Sequence, residues 1–195
     1  LDGGLGYTTV QKRMKFDDNT QLQFGNGGDL QFYHTGSIGI LYNNTGDFRF
    51  RQNTNDGDIA FECDDGSGGV TAYLTLDGSA GHTKAHKEIQ FEDNVIARFG
   101  AGNDMSIYHD GSNSYINQSG TGHLVFQQTI DDKDIVFKSD DGSGGVETYF
   151  FLDGSSGHTT FPDSKILSFG NSQDLRINHD GSTASIFNTT GNLQI

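Results

Sequence analysis

One strand ending, written three times, constrains this chain more than any other feature. LQFYHTGS (30–37), MSIYHDGS (105–112) and LRINHDGS (175–182) each run an apolar-alternating stretch into a histidine and then into a turn. His34, His109 and His179 recur at the same two intervals as Phe24-Gly25, Phe99-Gly100 and Phe169-Gly170, the second interval shorter than the first. DDGSGGV at 64–70 recurs at 140–146, and LDGSAGHT at 76–83 returns at 152–159 as LDGSSGHT, with LDGGLGYT (1–8) matching both. One residue is gained near Gly122, and six are lost after His158, where KAHKEIQFED (84–93) contracts to TFPD (160–163). The chain therefore divides into a partial repeat (1–23), repeat 1 (24–98), repeat 2 (99–168) and a partial repeat 3 (169–195). Units repeated at a fixed period cannot each bury an apolar face alone, and become stable by association with neighbours.

Each repeat reads as a series of hairpins. DMSIYH (104–109) pairs with SYINQS (114–119) across DGSN, and DIVFKS (134–139) with VETYFFL (146–152) across DDGSGG. HLVFQQ (123–128) and KEIQF (87–91) also alternate and are expected as strands. No dozen-residue segment has a 3.6-residue period, so the fold class is all-β. Leu, Ile, Val and Phe make up about 24% of the residues, low for a globule but above the level of disordered chains. A thin, glycine-rich unit with many open strand edges invites aggregation unless repeats stack or several chains wind together. The expected architecture is an elongated repeat fibre of short strands and hairpins, an intertwined homotrimer. A propeller fits less well, because its blades carry a Trp-Asp signature and this chain has no tryptophan.

Side chains alternate faces along a strand. Leu30, Phe32 and His34 share one face, as do Met105, Ile107 and His109, and Leu175, Ile177 and His179. The opposite face varies: Gln31 and Tyr33, Ser106 and Tyr108, Arg176 and Asn178. The constant face is expected to be the inner one, burying Phe32, Ile107 and Ile177 and leaving Ser106 in solvent. Each histidine then closes the inner face where the chain must turn, packing its ring while one nitrogen bonds the turn backbone. Asp110-Gly111 and Asp180-Gly181 supply the turn's hydrogen bonds and positive φ. Thr35-Gly36 replaces them in the first copy, so the aspartates are expected to serve the turn alone. Three chains on one axis would bring three imidazoles together, making His34, His109 and His179 candidate ligands for a metal ion or an anion.

A net charge of −14 repels phosphate backbones, so no nucleic-acid partner is expected. No apolar run reaches the roughly 18 residues of a membrane-spanning helix, so membrane insertion is not expected. Cys63 is the single cysteine and aligns with Ser139, which reads as a small, partly buried position rather than a reactive thiol. The Asp-Gly stretches lack the alternating ligands and twelfth-position Glu of a calcium loop, and no Gly-Lys-Ser/Thr or Gly-x-Ser-x-Gly motif occurs. The carboxylates sit in repeated turns, so neither catalysis nor a cofactor is expected. Both ends fall inside a repeat, which reads as a piece of a longer chain.

FGAGNDMSIYHDGSNSYINQSGTGHLVF (99–126), with DDGSGG and FLDGSSGHTTF (151–161), resembles the repeats of tail-fibre proteins of aquatic (marine and freshwater) tailed bacteriophages. All copies take part in the likeness, and the first departs from it in having YHTGSIGI for YHDGSNSY. The resemblance implies an intertwined β homotrimer on the virion, a shaft that presents a host-receptor-binding tip and meets a host surface glycan or receptor. A self-assembling extracellular bacterial filament or adhesin stalk of the same repeats is the alternative.

Overall fold

A computed structural model describes residue 10 and residues 12–194. Among the described residues the chain is all β: fifteen short strands, no helix, and five antiparallel three-stranded sheets, each a meander of consecutive strands. It divides into two compact units, one up to Gln90 and one from Phe91.

Two kinds of sheet alternate. The first kind carries the recurrent histidine: β1 (Leu22–Phe24), β2 (Leu30–His34) and β3 (Gly39–Asn43); β7 (Ala97–Phe99), β8 (Met105–His109) and β9 (Ser114–Gln118); β13 (Ile166–Phe169), β14 (Leu175–His179) and β15 (Ala184–Asn188). The second kind comprises β4 (Ile59–Asp64), β5 (Val70–Asp77) and β6 (His82–Ala85), then β10 (Ile135–Asp140), β11 (Val146–Asp153) and β12 (His158–Thr160). The first unit holds one sheet of each kind; the second holds two of the first kind around one of the second.

Both expected hairpins form. His109 pairs with Ser114 and Met105 with Gln118, and Ile135 pairs with Leu152. The second hairpin carries a bulge after Phe137, matched by one after Phe61 in the earlier copy. The bulge accommodates Tyr149 and Tyr73, whose hydroxyls donate to the carbonyls of Asp140 (2.7 Å) and Asp64 (3.0 Å) at the hairpin end. The Phe-Gly marker also has a local cause. Gly25, Gly100 and Gly170 sit at φ of +86°, +85° and +86°, and a side chain there would strike the carboxylate of Asp29, Asp104 or Asp174.

HLVFQQ and KEIQF are not strands within the chain: residues 123–128 and 87–91 join no ladder. Alternation supplies the side-chain pattern of a strand, but a ladder also needs a backbone alongside, and none of the described residues provides one. Cys63 is exposed rather than partly buried; it pairs with Thr71, one residue from the turn of the β4–β5 hairpin.

The expected burial of the two faces is reversed in the single chain. Ser106 is 8% exposed and Ile107 41% exposed. Ser106 is a small residue on a central strand, in register with Arg98 and Asn117, whose longer side chains shade it. Among the described residues no second sheet covers the face of Ile107: within each unit, strands of one sheet make no contact with strands of another. No apolar side chain among the described residues is buried. The fold is a set of single-layer sheets, each without a second layer to complete a core.

Candidate functional site

The feature common to the five sheets is an apolar face open to solvent. Register places Leu22, Phe32 and Leu41 side by side across the first sheet, Ala97, Ile107 and Ile116 across the third, and Leu167, Ile177 and Ile186 across the fifth. Phe32 is 55% exposed and Ile177 41%. In the second kind of sheet the same face carries Ile59, Phe61, Leu74 and Leu76, or Ile135, Phe137, Phe150 and Leu152. Phe137 stacks on Phe150 at 4.4 Å and Phe150 on Phe161 at 5.5 Å, a ladder of three rings. A depression of about 390 Å3 opens on this face in the first unit, lined by Met14, Phe16, Leu22, Phe32 and His34 among others. Contiguous apolar surface on this scale marks an interaction site.

The recurrent histidine lies at the margin of that face. Gly36 N–H donates to His34 Nδ1 at 3.0 Å, and Gly181 N–H to His179 Nδ1 at 3.1 Å, so the turn backbone is met in these two copies. The same nitrogens lie 3.0 Å from Asp18 Oδ1 and 2.8 Å from Asp163 Oδ1. One nitrogen cannot serve both: a lone pair accepts from the glycine, and an N–H donates to the carboxylate. His109 turns away to Ser114 Oγ at 3.1 Å. Its cross-strand partner is the one that carries a hydroxyl; His34 and His179 face Gly39 and Ala184.

Sequence reasoning missed Asp18, Asp93 and Asp163. Each stands at one constant offset before its histidine, as the last member of a Phe-x-Asp triplet at 16–18, 91–93 and 161–163. The loop after the triplet folds back, so that the amides of Asn19, Asn94 and Ser164 donate to the carbonyls of His34, His109 and His179 at 2.7–2.8 Å. Asn19, Asn94 and Ser164 themselves adopt positive φ. The carboxylate of Asp93 comes as close to Gly111 as Asp18 does to Gly36, so the arrangement of loop and turn is shared by all copies.

Asp110 Oδ1 accepts from the amides of Ser112 and Asn113 at 2.9 and 2.7 Å, and Asp180 Oδ1 from those of Ser182 and Thr183 at 2.9 and 2.8 Å. These amides hold both carboxyls below the usual aspartate range. Thr35 Oγ1 accepts from Ile38 N–H at 3.1 Å in the first copy, a hydroxyl in the carboxylate's role. Gly111 and Gly181 have φ of +92° and +100°, the left-handed turn conformation. In the second kind of sheet, Asp65 and Asp141 cap the DDGSGG turn through Ser67, Gly69, Ser143 and Gly145. Ser155 and Ser156 hold Asp153 at about 2. Lys84, bonded at 2.5 Å, and the Ala80 amide lower Asp77 further.

Among the described residues no three His, Cys, Asp or Glu side chains stand close enough to hold a metal ion. Nor, among them, is any helix long and apolar enough to cross a membrane. Comparison with protein families, curated proteins and solved structures finds no match.

Proposed function

We propose that this chain is the shaft of a homotrimeric tail fibre on the virion of a tailed bacteriophage, holding a host-receptor-binding tip away from the particle. The observation that carries the reading is that no apolar side chain among the described residues is buried, although every sheet carries an apolar face. The chain exposes 15967 Å2. A compact monomer of 21.2 kDa exposes about 9100 Å2, and two separate globules of half that mass about 11000 Å2. The excess is several times the roughly 800 Å2 that one partner contributes to a standard interface, so each chain requires extensive cover.

Three walls fit the dimensions. A sheet three strands wide spans about 14 Å at about 4.8 Å per strand, and three such sheets enclose a triangle whose centre lies about 4 Å from every wall. That is close to half of the roughly 10 Å between packed sheets, so one layer of inward side chains fills the axis. The likeness of the repeats to phage tail-fibre repeats supports the same number and supplies the biological setting.

Sedimentation equilibrium of the chain tests this. The expected mass is three times 21.2 kDa. A folded monomer whose melting does not depend on concentration refutes the proposal. An open-ended series of larger species replaces the closed fibre with a head-to-tail extracellular filament.

A further inference from the structure

Among the described residues, 47–51 and 123–127, like 87–91, have the pattern of strands and no partner within the chain. Residues 47–51 (DFRFR) and 123–127 (HLVFQ) occupy equivalent positions in successive repeats, between a histidine sheet and the following hairpin sheet. In both, the first and third residues after the opening one are apolar: Phe48 and Phe50, Leu124 and Phe126. All four side chains are exposed, and the Phe48 and Phe50 rings meet edge to face at 4.8 Å, as neighbours two apart on one strand face do. Both segments end in the same device, a glutamine whose Oε1 accepts an amide two residues on: Gln52 from Thr54 and Gln128 from Ile130, each at 2.9 Å. Among the described residues none bonds to a backbone N–H or C=O of 47–51 or 123–127.

Backbone groups covered by an assembly must be paired, since a buried unpaired amide or carbonyl costs about as much as a lost hydrogen bond. An extended segment whose alternate residues are apolar meets that requirement by lying against another strand. We infer that residues 47–51 and 123–127 are intermolecular strands, pairing their backbones with a neighbouring copy of this chain while Phe48, Phe50, Leu124 and Phe126 join the shared core. A second copy is the occupant because the surface to be covered recurs at both levels of the repeat, and its excess exceeds what one ordinary partner removes. The chain would thus pass from wall sheets formed within itself to segments shared between copies, and those shared segments interlock the assembly. This inference rests on the association proposed above.

Hydrogen–deuterium exchange on the assembled full chain tests it, read on peptides covering 47–52 and 123–128. The expected result is exchange slowed by roughly a hundredfold or more relative to an unstructured peptide, with protection lost when dilute denaturant dissociates the copies. Exchange at the unstructured rate in a protein that sediments as an oligomer overturns the inference and leaves the association standing. A monomer overturns both. The variant pair Val125→Pro and Val125→Ala supplies a second arm. Proline removes one N–H from a segment that has no backbone bond inside the chain, so it should weaken assembly while alanine leaves it unchanged. Equal assembly of the two variants refutes pairing at that residue.

Discussion

Phe32 and Tyr42 offer a matched test of whether the apolar face is an interface. They lie on adjacent strands of one sheet, Phe32 55% and Tyr42 50% exposed, and register places them on opposite faces. In an isolated chain, truncating either to alanine removes a half-exposed ring and costs similar amounts. In the proposed trimer only Phe32 is covered. Complete burial of a phenylalanine contributes about 1.5–3 kcal/mol, so the half still exposed in the chain accounts for roughly 1–1.5 kcal/mol per copy. Three copies at one level give roughly 3–5 kcal/mol, or roughly a hundred- to a few-thousandfold in the trimer dissociation constant. The cavity left by the ring adds to this. Analytical ultracentrifugation across a dilution series reads the dissociation midpoint, and circular dichroism confirms that the sheets persist. Phe32→Ala should dissociate at markedly higher concentration than the unmodified chain, and Tyr42→Ala should track the unmodified chain. Equal midpoints for the two variants would show that this face is not covered by other copies.

Ile107→Asp places a carboxylate on the same face at a cost of several kcal/mol once covered, so it should abolish assembly by size-exclusion chromatography, while Ser106→Asp on the opposite face preserves it. The turn aspartates set the acid limit: Asp65, Asp110, Asp141, Asp153 and Asp180 are held below the ordinary value by amides and hydroxyls. A depressed folded-state pKa means that the unfolded chain binds protons first, so this stabilisation is complete above about pH 4 and lost as pH falls towards 2. A melting temperature that stays level from pH 5 to pH 2.5 contradicts that assignment. Gly154→Ala drives a Cβ into the carbonyl of Lys133, which should destabilise by about 1–3 kcal/mol in denaturant unfolding; Gly157→Ala, where φ is +70° and a Cβ meets open space, isolates the cost of conformation from that of collision.

What could be read from the sequence was local, and what could not was set from further away. The β8–β9 register follows from a four-residue loop whose aspartate bonds amides two and three positions on, all inside one octapeptide. The DDGSGG hairpins were legible for the same reason, although the bulge that takes up Tyr149 was not: it depends on a hydroxyl reaching a carbonyl nine residues away. Asp18 and Asp163 escaped because they stand far along the chain from their histidines, and because repeats counted from Phe-Gly cut the Phe-x-Asp triplet away from the strand it serves. What covers the faces was not legible for a different reason. Period-two alternation correctly groups Ile107 with Met105 and His109, but exposure depends on what lies above the sheet, and among the described residues no second sheet does. The same holds for residues 123–128, where alternation is present and the neighbouring backbone is absent. Among the described residues the turn aspartates and the two bulges are satisfied internally, whereas the apolar faces and the alternating connectors are left open. Such a division settles local shape inside one chain and leaves apolar faces for which the proposed trimer would supply the second layer.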